Sequence, residues 1–153
     1  MLDIGDTLPA RTLLDENGSP VALSDLGATV LFVYPAAMTP GCTAEACDFR
    51  DRYERLQGAG YDVVGVSRDA PEKNLEFKET YELPYPLLSD PDHELLDELG
   101  AWGMKKNYGR EYEGVIRSTI VTDADGSITH AFRNVRAKGH AARIARELGL
   151  DDA

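Results

Sequence analysis

The run Val30-Leu31-Phe32-Val33-Tyr34, stopped by Pro35, limits this chain more than any other stretch. Five apolar residues rich in β-branched and aromatic side chains read as a buried strand. Just beyond the proline stands Thr39-Pro40-Gly41-Cys42, followed by a helical pattern. Thr39 suits an N-cap and Pro40 suits the first helical position. A helix therefore starts where a buried strand stops, with Cys42 in its first turn. In open α/β sheets that junction, outside the carboxyl end of a strand, is where reactive sites lie.

The placement has chemical consequences. The thiolate is the nucleophilic form of cysteine, and unpaired amides with the positive end of the helix dipole favour negative charge. A cysteine there is expected to ionise more readily than a free one. At about 100° per residue, Ala46, Phe49, Tyr53 and Leu56 fall within about 40° of Cys42. Cys42 thus sits at the mouth of an inward apolar stripe, and Cys47 lies about 140° away. Residues five apart in a regular helix have Cα atoms roughly 8.5 Å apart, whereas a disulfide needs about 4.4–6.8 Å. The two cysteines can join only if this turn unwinds. That is a poor arrangement for a structural crosslink and a sensible one for a reversible cycle.

The remaining elements follow in order. Asp15-Glu16-Asn17-Gly18 is a turn between two short strands, and Ser24 and Asp25 are placed to cap a single helical turn. The helix from Pro40 is expected to stop at Gly58-Ala59-Gly60. Residues 61–67 read as a second central strand and 71–81 as a helix with Leu75 and Phe77 inward. Leu87-Leu88 reads as a short strand. Ser89-Asp90-Pro91 then caps a helix ending at Leu99. Residues 101–113, rich in Gly, Lys and Tyr, read as a loop, and 115–122 as a strand. Asp123-Ala124-Asp125-Gly126 turns it into a hairpin with 127–133. A last helix spans about 139–148. Alternating strands and helices ahead of a hairpin and a helix predict a three-layer α/β/α sandwich with a mixed central sheet, the thioredoxin arrangement.

Composition excludes several roles. A chain of 153 residues suits one domain, 1–153. A net charge of −11 argues against nucleic acid or anionic membrane as partner. No run approaches the roughly 18 apolar residues of a membrane span, and the N-terminus lacks a signal pattern. A cytoplasmic setting follows, in which thiols stay reduced. Only Lys73, Lys78, Lys105, Lys106 and Lys138 are lysines. High acid with few lysines is compatible with a salt-rich cytoplasm, and equally with an ordinary acidic protein. Two cysteines cannot make a four-ligand zinc site, and His93, His130 and His140 lack ligand spacing, so no metal site is expected.

Residues 34–51, YPAAMTPGCTAEACDFRD, resemble the active-site segment of the atypical two-cysteine peroxiredoxins, the bacterioferritin comigratory protein or peroxiredoxin Q group. The likeness continues through Gly65-Val66-Ser67 with Asp69, Leu87-Leu88-Ser89-Asp90, Trp102-Gly103 and Arg117-Ser118-Thr119. It implies the thioredoxin fold and a thiol-dependent peroxidase, using no organic cofactor, that acts on hydrogen peroxide and organic hydroperoxides. Cys42 would be the peroxidatic cysteine, becoming a sulfenic acid, and Cys47 the resolving one. Thr39 would hold the peroxide, Pro40 shield the sulfur, and Arg117 stabilise the thiolate and orient the peroxide. The reductant implied is thioredoxin or a relative, and the resemblance leans toward a monomer. The family commonly carries lysine where this chain has Ala36.

Plainer readings stand beside these. Cys42 could be a buried filler, Cys47 an inert helix cysteine, Thr39 only a cap, Pro40 only a helix starter, and Arg117 a snorkelling side chain. Glu45 reads as a helix former well placed for the dipole. Trp102 and residues 103–108 are assigned no role. A peroxide sensor that relays oxidation to a partner shares the chemistry. A thioredoxin-fold binding or chaperone module with dead chemistry is disfavoured by Thr39, Cys42 and Arg117 together. A disulfide reductase expects two cysteines separated by two residues, which this chain lacks.

Overall fold

The computed structural model describes residues 1–107 and 109–150. The apolar run forms β3 (Thr29–Val33), all five residues of which are buried. It pairs in parallel with β4 (Asp62–Ser67), and β4 in parallel with β5 (Leu87–Ser89). On its other side β3 runs antiparallel to β8 (Ser118–Thr122), which continues into β9 (Ile128–Arg133). The hairpin of β1 (Thr12–Leu14) and β2 (Pro20–Ala22) extends the sheet beyond β5. The order is β2-β1-β5-β4-β3-β8-β9, a mixed sheet of seven strands.

Alternation along β3 divides the core. Val30 and Phe32 face a cluster built with α1 (Pro40–Gly58), α2 (Pro71–Tyr81) and α4 (His140–Glu147). Leu31 and Val33 face a second cluster with α3 (Glu94–Leu99). The helices cover both faces of a thioredoxin-like sheet, as expected. On α1, Ala46, Phe49 and Leu56 are buried with Cys42, while Tyr53 is only half-buried. On α2, Phe77 is buried but Leu75 is not. Asn74 takes the inward place because it is paired there, accepting from Tyr34 Oη and donating to Ser89 Oγ.

Three expectations are corrected. Residues 101–113 are not a loop: β6 (Trp102–Asn107) and β7 (Arg110–Val115) form a hairpin separate from the main sheet. Its strands are largely solvated, so apolar alternation, the signal of a half-buried strand, is missing. Nor is 115–122 one strand. Val115 closes β7, Ile116 N–H donates to Ala101 O, and β8 begins only at Ser118. Arg117 occupies the step between the two sheets. The helix ahead of Leu99 also starts later than the capping residues suggested, at Glu94, with Asp90 Oδ2 accepting from Leu96 N–H. Among the described residues no helix is long and apolar enough to cross a membrane.

Close packing dictates one glycine. A Cβ on Gly65 would lie 2.7 Å from Leu87 Cδ2 and 3.1 Å from both the Phe32 and Tyr34 rings. Gly65→Ala is expected to cost about 1–3 kcal/mol through overpacking, read as a lower midpoint in chemical denaturation. His140 is buried edge-on to the Phe49 and Phe132 rings, with Nε2 2.7 Å from Thr119 Oγ1. Burial, aided by Arg143 and Arg117, pushes its pKa down from 6.5 to about 4. The folded protein takes up that proton less readily than the unfolded chain. Stability present above about pH 6.5 is therefore lost as the pH falls toward 4. The advantage of wild type over His140→Gln should shrink across that interval in pH-resolved denaturation.

Candidate active site

The site is assembled at the carboxyl end of β3. The register Val33↔Ser118 leaves Arg117 one step further along, level with the point where β3 gives way to the loop into α1. That loop turns at Met38, held at φ 68, a left-handed conformation costly for a side chain of this size. Thr39 stands at the N-cap with extended backbone and Pro40 opens α1. The hydroxyl of Thr39 does not cap the helix, however. It donates to Ala36 O at 2.7 Å, which leaves the oxygen's lone pairs free to accept. Thr39 and Pro40 are exposed, whereas Cys42 is only 1% exposed.

Arg117 bridges two groups. Its Nη2 donates to Cys42 Sγ at 3.3 Å and its Nη1 to Glu45 Oε1 at 2.6 Å. The guanidinium is 15% exposed and the Glu45 side chain 0%. Burial works against the charge of Arg117, but Glu45 and Cys42 more than offset it and hold its pKa above the ordinary value. Burial also pushes the Glu45 carboxyl up, to about 7, against the pull of Arg117. Glu45, which reads in the sequence as a helix former, is a third member of this cluster. The available signal was its spacing: three residues on from Cys42 lies only about 60° around the helix.

Cys47 is half-buried on another face of α1, and both cysteines are free thiols. Burial pushes the Cys47 thiol up, with Arg50 opposing. The helix is continuous through both cysteines. The structure thus brings Cys42, Arg117 and Glu45 together, places Thr39 and Pro40 at the entrance, and keeps Cys47 apart. A cleft of about 470 Å³ opens beside Arg117, lined among others by Pro35, Met104, Lys105, Ile116 and Val135. A cleft of about 610 Å³ between β1 and the segment after β5 includes none of these groups. Trp102 packs: its ring stacks on His93 at 4.0 Å and lies under the Arg68 guanidinium. Tyr108 lies outside the described residues. No cluster of three or more His, Cys, Asp or Glu among the described residues is arranged to hold a metal ion.

A buried polar network braces the loop from below. Tyr34 Oη donates to Asn74 Oδ1 at 2.6 Å, Ser67 Oγ links Asn74 to Asp69, and Asp69 Oδ2 accepts from Ala37 N–H at 2.7 Å. Further along α1, Tyr85 Oη donates to Ala46 O at 2.6 Å and Arg50 Nη1 to Tyr81 O at 2.7 Å.

Comparison with known proteins places this fold in a family. The AhpC/TSA family model matches residues 4–131. A Mycobacterium tuberculosis chain assigned to the peroxiredoxins is 49% identical over 148 residues, covering 95% of this chain and 94% of that one. The thioredoxin-like fold and the matched family make this chain a peroxiredoxin, a thiol peroxidase of the AhpC/TSA family. Within that family it groups with Bcp and peroxiredoxin Q. Peroxiredoxin Bcp of Bacillus subtilis is 42% identical over 149 residues, covering 96% of this chain and 95% of the relative. The solved bacterioferritin comigratory protein of Xanthomonas campestris, studied for alkyl peroxide reduction, superposes with a TM-score of 0.87. It is 30% identical, covering 96% of this chain and 98% of its own.

The bracing network makes a separable prediction. Asp69→Ala leaves the buried Ala37 N–H without its acceptor. It should cost about 1–3 kcal/mol of stability in chemical denaturation.

Proposed function

We propose that the chain, acting as one thioredoxin-fold unit, reduces hydrogen peroxide and organic hydroperoxides through Cys42 and resolves the product through Cys47. The observation that carries this reading is the Arg117 guanidinium, 3.3 Å from a buried cysteine sulfur at the start of α1. A fixed guanidinium beside the sulfur is placed to stabilise the charge that moves from sulfur to the leaving oxygen during attack. The sulfur attacks the terminal peroxide oxygen. An S–O bond forms, the O–O bond breaks, and water or an alcohol leaves behind a sulfenic acid.

Thr39 receives the peroxide. Its hydroxyl proton is committed to Ala36 O, so its oxygen accepts from the peroxide O–H. Arg117 donates to the peroxide oxygens from the opposite side, and Pro40 limits water at the mouth. Resolution needs Cys47 to reach the sulfenic sulfur, so the start of α1 opens. The sequence between the cysteines favours opening. Thr43 Oγ1 and Glu45 Oε2 are buried there without hydrogen-bond partners, a cost of about 1–3 kcal/mol each that hydration removes. The disulfide then exchanges with a dithiol reductant of the thioredoxin class.

Peroxide turnover with a thioredoxin system tests the assignment on three proteins. Wild type should turn over continuously. Cys42→Ser should lose activity entirely, and Cys47→Ser should form one sulfenic acid per chain and stall. Activity in Cys42→Ser would overturn the peroxidatic assignment, and sustained turnover in Cys47→Ser the resolving one. A relay to a partner protein, in place of turnover, would show wild type stalling as well.

A further inference from the structure

Arg117 supplies one positive charge to two acidic groups. Cys42 Sγ lies 3.3 Å from Nη2 and Glu45 Oε1 lies 2.6 Å from Nη1, in a site where both acids are essentially inaccessible to water. Two anions held by one cation in so dry a place leave a net negative charge, which burial strongly penalises. One proton therefore stays with the pair. The carboxyl has an oxygen available to carry it: Oε2 is buried and has no hydrogen-bond partner.

Resting on the peroxidatic role of Cys42, we propose that Glu45 balances the charge of the site, holding a proton while the sulfur is a thiolate and releasing it once the sulfur is oxidised. The guanidinium then serves one anion at a time. The step balances. Thiolate, neutral carboxyl and guanidinium carry no net charge. On attack the sulfur gives up two electrons to the peroxide, the S–O bond forms and the O–O bond breaks. The departing hydroxide or alkoxide takes one proton from solvent at the mouth of the site, and the carboxyl releases one to solvent, so the proton count is unchanged. The products are sulfenic acid, water or alcohol, and a carboxylate–guanidinium pair, again without net charge. Glu45 acts through Arg117 and is a positioning residue, not one that touches the peroxide.

The surroundings leave this exchange to Glu45. On its own helix stand Cys42 and Asp48, and Asp48 raises the carboxyl further. From the step between β7 and β8 comes Arg117. Tyr85, from the connector ahead of β5, is neutral, its pKa driven well up by burial. On α4, His140 is held neutral and Arg143 lies over the Phe132 ring. Burial setting the carboxyl near 7 is consistent with a proton that moves at working pH.

The test uses the full chain with Cys47→Ser, which halts the cycle at the sulfenic acid. Infrared difference spectra on adding hydrogen peroxide should show loss of a protonated-carboxyl C=O band and gain of a carboxylate. Sulfenic acid is scored independently by mass spectrometry. This first readout leaves Glu45 intact, so it does not depend on how a variant folds. The change should vanish in Glu45→Gln, an isosteric variant that keeps an acceptor for Arg117. The pH profile of the peroxide step should carry an inflection near 7 in wild type that Glu45→Gln lacks. Sulfenic acid formed with no carboxyl change, or an unaltered profile in Glu45→Gln, overturns the proposal and leaves the peroxidatic reading standing. Absence of sulfenic acid overturns that reading, and this one with it.

Discussion

The guanidinium of Arg117 ties together parts of the chain that are otherwise far apart. It belongs to the step between two sheets, yet it contacts the first turn and the second turn of α1. That reach depends on β3 lying beside an antiparallel β8, because only then does the residue before β8 come level with the end of β3. The sheet order is thus a condition of that contact. A parallel neighbour would present its far end there. The charge is also expensive, being largely buried, and the two acidic partners are what make its burial tolerable.

Beneath the site, packing and polar bonds divide the work. Phe32 stacks on Phe49 at 4.7 Å and closes the sheet against α1. Tyr34, Asn74, Ser67 and Asp69 carry hydrogen bonds from the core out to the amide of Ala37. The loop that delivers Thr39 and Cys42 is therefore held from inside, with no need of crosslinks. Gly65 is required because Phe32, Tyr34 and Leu87 crowd its α-carbon. The tight core and the strained, polar entrance meet within one turn of chain.

Much of this could be read in the residues. The apolar run, its proline stop and the Thr39–Pro40 start place Cys42 at a strand-to-helix junction, since each feature is local in sequence. The inward stripe of α1 follows from helical periodicity. What resisted was non-local or solvated. The β6–β7 hairpin has no buried face to impose alternation. Glu45 looks like any exposed helical glutamate until Arg117, 72 residues away, is set against it. Asn74 displaces Leu75 from the interior for the same reason: its partners come from other strands. Thr39 has the right backbone for a cap, but its hydroxyl turns back to Ala36, and no propensity encodes that choice.

The bond from Tyr85 to the carbonyl of Ala46 has a mechanical meaning. It seizes α1 at the residue before Cys47, and Arg50 adds a second attachment at Tyr81 O one turn later. Together they form an anchor. Ahead of it stand Cys42 and Glu45, and behind it Phe49 lies stacked on Phe32. The fastened part of α1 is the part that packs on the sheet, and the turn carrying Cys42 lies ahead of it.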